Sequence, residues 1–192
     1  MKLFVTVGNA LVPFDRLLRM VDEAQARLGW TGICQHGASS LRPRGLVAQA
    51  TLSKREFEDA MHTADAVVCH AGVGTLWSAI EAGHKPLVLP RRHSFGEVVN
   101  DHQLDICRAL EQTGRIVVLA STADLERGMR DVAAATTTRA PLHRDLSRLE
   151  PVGRALSEIA QSAASSPKRA PSRLLAVLAA MGPSLERLRV RR

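Results

Sequence analysis

Apolar positions along residues 1–138 alternate between short β-branched runs and longer segments with a helical period. The short runs predict strands at Leu3–Val7, Thr31–Gln35, Leu46–Ala48, Ala66–Cys69, Pro86–Leu89 and Ile116–Leu119. The longer segments predict helices at Phe14–Leu28, Lys54–Thr63, Thr75–Ala82, Asp101–Thr113 and Thr122–Ala134. In the first of these Leu17, Leu18, Val21, Ala24 and Leu28 fall on one stripe at three- and four-residue spacing, the mark of an amphipathic helix. Ser53 followed by Glu56 forms a capping-box pattern, and Gly83 and Gly114 are natural helix stops. Strands that are apolar throughout and separated by helices indicate an α/β fold. The expected architecture is a Rossmann-like parallel sheet with helices on both faces.

The segment His70-Ala-Gly-Val-Gly-Thr75 stands out against this pattern. It follows the apolar run Ala66–Cys69 and leads into a helix, so a strand breaks into small residues and restarts as a helix. Backbone N–H groups and a positive helix end then point at open space, which suits a phosphate. In open parallel sheets ligands sit beyond the carboxyl ends of the strands at a topological switch point. Three segments converge there: Gly8-Asn9, His70 to Thr75, and the polar loop Arg91 to Gln103. The first strand is not followed by GxGxxG and no acidic residue closes a strand about 20 residues later, which disfavours a dinucleotide. No GxxxxGK[ST] occurs, so a P-loop is excluded.

Charge changes the picture only at one end. The formal net charge is +7. From Arg139 onward there are 11 basic and 4 acidic residues, whereas residues 1–138 hold 15 of each, so the basic character belongs to the tail. The chain of 192 residues therefore parses as a binding domain over 1–138 and a basic extension over 139–192. The extension holds an Ala/Ser/Pro-rich linker at 160–172 and a partly helical, leucine- and arginine-bearing segment after it. That segment suits a membrane surface or a partner, or else is a basic tail with no specific partner. Aromatics make up 3% with no Tyr, which speaks against a single-strand nucleic-acid binder that stacks bases, and no nucleic acid is expected. Cys34, Cys69 and Cys107 lack CxxC spacing and are expected to be reduced thiols in a cytosolic protein, with no metal and no cofactor. The apolar run at the N-terminus stops at Gly8, too short for an export signal, and no stretch reaches the roughly 20 residues of a membrane span.

Taken together in order and spacing, several motifs resemble the family 28 glycosyltransferase C-terminal domain, the donor-binding half of a GT-B fold. They are Phe4-Val-Thr-Val-Gly-Asn9 with Pro13-Phe14-Asp15, Gln35-His-Gly37, His70 to Thr75, Ala82-Gly83 with Lys85-Pro86, and Pro90-Arg-Arg92 leading to Phe95-Gly-Glu97 and Asp101-His-Gln103. The chain is similar to the free-standing small subunits of two-chain transferases. These include the cytosolic subunit of the dolichol-linked N-acetylglucosaminyltransferase and bacterial exopolysaccharide and capsule counterparts that move glucuronosyl or galactosyl units. The resemblance implies a UDP-sugar site in which His70, Gly74 and Thr75 meet the diphosphate, Gly8 and Asn9 close over it, and Gly72 lines the site. In the same way it implies that Asp101, His102 and Gln103 read sugar hydroxyls, with Arg91 a further ligand contact. The family's acidic ribose residue, eight positions after the histidine, is replaced by Ser78, so either the nearest acid, Glu81, takes that role or the ribose is held otherwise.

Each of these residues also has an ordinary structural reading. His70 could be a core histidine, Thr75 or Asp101 a helix cap, Gly72 and Gly74 turn formers, and Arg91 surface charge. The function the resemblance implies is an inverting hexosyltransferase subunit that passes a sugar from UDP to a polyprenyl-diphosphate-linked acceptor. Glu97 and Asp101 are the candidate general bases. A membrane-associated partner subunit would hold the acceptor, recruiting this cytoplasmic chain to the inner face of the membrane. A non-catalytic nucleotide-sugar-binding or enhancer subunit, and a nucleic-acid binder driven by the basic tail, are the alternatives.

Overall fold

A computed structural model describes residues 1–136 together with residues 150, 153, 154 and 157. The expectations for the linker at 160–172 and for the segment after it lie outside the described residues. Within them, six strands form one parallel sheet in the order β3-β2-β1-β4-β5-β6. In chain order these are β1 (Lys2–Thr6), β2 (Thr31–Gln35), β3 (Leu46–Gln49), β4 (Ala66–His70), β5 (Leu87–Leu89) and β6 (Val117–Val118). The five helices are α1 (Asp15–Leu28), α2 (Lys54–Thr63), α3 (Val73–Glu81), α4 (His102–Gln112) and α5 (Thr122–Thr136), and a short 3-10 turn spans His93–Phe95. This is an α/β Rossmann-like fold.

Two apolar layers enclose the sheet. Leu17, Leu18, Val21 and Ala24 of α1 and Leu125 and Met129 of α5 pack with Leu3, Val5 and Val68 on one face. On the other, Leu76, Ala79 and Ile80 of α3 and Ile106 and Leu110 of α4 pack with Phe4, Val67 and Val88, and Ala60 and Met61 of α2 join them. Alternate residues of β1 and β4 thus feed opposite layers, which is why both central strands are apolar through Leu3–Val5 and Ala66–Cys69. The ends of the helices are closed locally. Ser53 and Glu56 form the capping box at α2, with Ser53 Oγ accepting from the Glu56 N–H and the Glu56 carboxylate accepting from the Ser53 N–H at 2.7 Å. At the start of α5 the Asp124 carboxylate accepts from the Ala120 and Ser121 N–H groups.

Several boundaries differ from the expectation for physical reasons. α3 begins at Val73, not Thr75, because extended Gly72 is its N-cap and Val73 is pulled into the core. Thr75 is therefore inside the first turn, which removes its reading as a helix cap. Asp101 does cap α4 in position, yet its side chain makes no capping bond. The last strand shrinks to two residues at the sheet edge. Cys34, Cys69 and Cys107 are buried and unpaired, and burial pushes the Cys34 and Cys107 thiols up to about 12.

Candidate functional site

The sheet order reverses between β1 and β4, so the crevice beyond their carboxyl ends is the switch point where this class of fold binds ligands. Its floor is built by a polar network that starts in the core. Thr6, fully buried, donates from Oγ1 to Gln35 Oε1 at 2.7 Å, and its own Oγ1 accepts from the Gly8 N–H at 3.1 Å. Gln35 in turn donates from Nε2 to Asn9 Oδ1 at 2.8 Å. These bonds leave Asn9 exposed but oriented. They also hold Gly8 at φ +75, a left-handed conformation that favours glycine.

His70 closes β4 and lies between two glycines. A Cβ on Gly8 would fall 2.5 Å from His70 Cε1, and one on Gly72 would overlap Nε2. Both positions must stay bare for the imidazole to sit where it does. His70 is half-buried; its Nδ1 is shielded from solvent without a well-formed hydrogen bond, and the ring meets the Thr6 backbone, which opposes part of the shift that follows. Burial first, and the Arg91 cation second, lower its pKa to about 4, so the ring is neutral at physiological pH. Gly74, by contrast, has nothing within 4 Å of a would-be Cβ and is exposed at the first turn of α3. Open space thus lies at the N-terminus of α3, where unpaired amides and the helix dipole favour an anion.

The loop after β5 is where the structure corrects the expectation. Glu97, a candidate base, is 8% exposed and chelated by Arg16, whose Nε and Nη2 donate to its two oxygens at 2.9 and 2.8 Å. The Arg92 N–H adds a third bond at 3.0 Å. A carboxylate so fully engaged anchors the loop and does not face the crevice as a base. Arg91 is likewise no surface charge: it is 1% exposed, stacked 4.5 Å from the Phe14 ring centroid, with its guanidinium donating to backbone carbonyls. It therefore sits beneath the site and is not displayed in it. Asp101 remains exposed, its Oδ1 accepting from the His93 N–H at 2.9 Å.

Gln103 is fixed through its Oε1, which accepts from the Arg91 N–H at 3.0 Å and leaves the Nε2 end for a ligand. His102 packs beside Asp105, with Nδ1 3.9 Å from its carboxylate. Ser78 and Glu81 follow Thr75 by about one and two turns along α3. They line a cavity of about 320 Å³ between α2 and α3 with Phe57, Met61 and His62, and neither His70 nor Thr75 borders it. The topology carries Gly8, Asn9, His70, Gly72, Gly74, Thr75 and Gln103 to the carboxyl edge of the sheet, with Ser78 and Glu81 further along α3. Thr6 and Arg16 were not singled out by the sequence. Thr6 looks like any strand residue, and the pairing of Arg16 with Glu97 spans 81 positions.

The six parallel strands with helices on both faces make an α/β Rossmann-like half-domain with its switch point between β1 and β4. A family model, the glycosyltransferase family 28 C-terminal domain, matches residues 3–148, and the chain belongs to that family. No curated protein sequence was found to match. Among solved structures the chain is similar to the glycosyltransferase of kitacinnamycin (17% identity, TM-score 0.52, covering 82% of this chain and 39% of that one). It is also similar to the glycosyltransferase SnogD from Streptomyces nogalater (18% identity, TM-score 0.50, covering 84% of this chain and 44% of that one). A weaker likeness is to the calicheamicin glycosyltransferase CalG4 (16% identity, TM-score 0.45, covering 97% and 44%). The chain thus spans less than half the length of the glycosyltransferases it matches.

Proposed function

We propose that this chain is the donor-binding half of a glycosyltransferase, taking a UDP-sugar and passing the sugar to a polyprenyl-diphosphate-linked acceptor. It acts with a membrane-associated partner subunit that holds the acceptor. The observation that carries the reading is the cradle around His70: two bare glycines, a neutral imidazole and an open helix N-terminus at the switch point. Thr75 and the α3 amides would meet the diphosphate, the neutral His70 would donate a hydrogen bond to it, and Gln103 Nε2 would read a sugar hydroxyl. As the glycosidic bond breaks, negative charge grows on UDP, and donors already aimed at that position stabilise it without reorganisation.

The acceptor's base belongs to the other half of the cleft on this reading, which agrees with Glu97 being engaged by Arg16. Leu11 at 92% and Val99 at 86% exposure project from the two loops flanking the crevice, apolar tips that suit a partner or lipid surface. Among the described residues no helix is long and apolar enough to cross a membrane.

The test is transfer from UDP-sugar to a lipid-linked acceptor, with the purified chain alone and with a co-expressed membrane-associated partner. The chain alone should be nearly inactive, and the pair active and found in the membrane fraction. Turnover by the chain alone at ordinary enzyme rates of about 1–1000 per second would overturn the two-subunit reading. Binding of UDP with no transfer by the pair would favour a non-catalytic nucleotide-sugar-binding subunit.

A further inference from the structure

Arg91 has the largest of the fully buried side chains, and its surroundings are unusual for a cation. Its Nη1 shares two hydrogens among three carbonyls, those of Val12 at 3.0 Å, Pro13 at 3.2 Å and Glu97 at 3.1 Å. Its Nη2 donates to the Val7 carbonyl at 3.1 Å, and Nε is buried without a partner. The residue's own N–H holds Gln103. One side chain therefore ties the loop after β1, the loop after β5 and the start of α4 into one body. The Phe14 ring covers its face.

The charge balance is equally telling. Buried charges are normally paired, but two guanidiniums share one carboxylate here: that of Glu97 is bonded directly by Arg16 and reaches Arg91 only through space, while the Arg91 hydrogen bonds go to carbonyl oxygens. Arg91 Nη2 sits on the Val7 carbonyl, one residue before the Gly8 against which the His70 ring packs, so its positive charge borders the crevice and lowers the His70 pKa. An anion seated there would balance the second positive charge of the Arg16–Glu97–Arg91 cluster.

We propose that Arg91 is a positioning residue of the donor site: from beneath it, the guanidinium fastens the two flanking loops together and lends the crevice its positive potential toward a nucleoside diphosphate. This rests on the donor-site reading above. A lysine would not replace it, because a single ammonium lacks the planar fork that meets carbonyls on two loops at fixed angles.

The test compares the wild-type chain with Arg91→Lys and Arg91→Met by UDP calorimetry, hydrogen exchange and NMR titration of His70. Both variants should bind UDP about tenfold or more weakly. Both should exchange faster in residues 7–14 and 92–99, while β1 and β4 stay protected. In Arg91→Met the His70 titration should move up toward the ordinary 6.5, and in Arg91→Lys, which keeps a charge, it should stay low. The proposal is overturned by wild-type loop protection in either variant, by an unmoved His70 titration in Arg91→Met, or by loosening spread evenly through the sheet. Should Arg91→Met not fold, the lysine variant decides alone: wild-type UDP affinity or loop protection in it overturns the proposal. A wild-type chain that bound no UDP would contradict the donor-site reading, and loop exchange and His70 titration would still decide whether Arg91 fastens the loops.

Discussion

His70 shows how one residue's environment determines its chemistry. In the unfolded chain its pKa is the ordinary 6.5, and in the fold it is about 4. Between these values the unfolded state takes up a proton that the folded state refuses, so stability falls as pH drops from 6.5 to 4. The loss amounts to roughly 3 kcal/mol at most. His70→Gln removes that titration. Denaturant unfolding of both proteins across this range should show the wild-type advantage shrinking as pH falls, and parallel profiles would contradict the burial of His70. The same scale shows why site residues are the hardest to read from sequence. His70, Gly72 and Gly74 lie next to one another in a strand-to-helix break, so local chemistry exposes them. Arg91 and Glu97 look like ligand contacts from their motif, and only the tertiary packing of Phe14 and Arg16 upon them reveals that they face inward.

At the scale of elements, the pattern of apolar residues was a sound guide wherever one face had to be buried. α1 and α2 emerge with the expected stripe and capping box. The start of α3 was misplaced by two residues because Gly74 is a poor helix former in isolation, and core packing of Val73 outweighs that preference. β6 was overextended because an edge strand has only one neighbour to impose its length. The capping box gives an element-scale prediction. Ser53→Ala should lower stability by about 1 kcal/mol, the usual cost of losing an N-cap, while UDP affinity stays at the wild-type value because α2 begins beyond β3, away from the β1/β4 crevice. Thermal unfolding and calorimetry on the same preparation check both halves, and a large loss of UDP affinity would mean that α2 communicates with the site.

Across the whole molecule, six parallel strands place three loops around a single crevice, and everything argued about function depends on that crevice being the donor seat. The alternation of strands and helices made a parallel sheet legible, and with it a candidate site at the carboxyl ends of the strands, whereas the order β3-β2-β1-β4-β5-β6 is set by packing. The site's division of labour was not legible, because hydrogen bonds such as Arg16 to Glu97 and Arg91 to Val7 join residues about 80 positions apart and leave no local trace. The most direct measurement is calorimetric titration of UDP into the wild-type chain and into Gly74→Leu, with thermal unfolding alongside. Leucine is a good helix former, and the space beside Gly74 is empty of protein atoms, so the fold should be as stable as the wild type or more so. The new side chain would occupy the seat at the N-terminus of α3. The account predicts that the wild type binds UDP and that Gly74→Leu, though folded, binds it at least about tenfold more weakly. Equal affinity in the two proteins would contradict it.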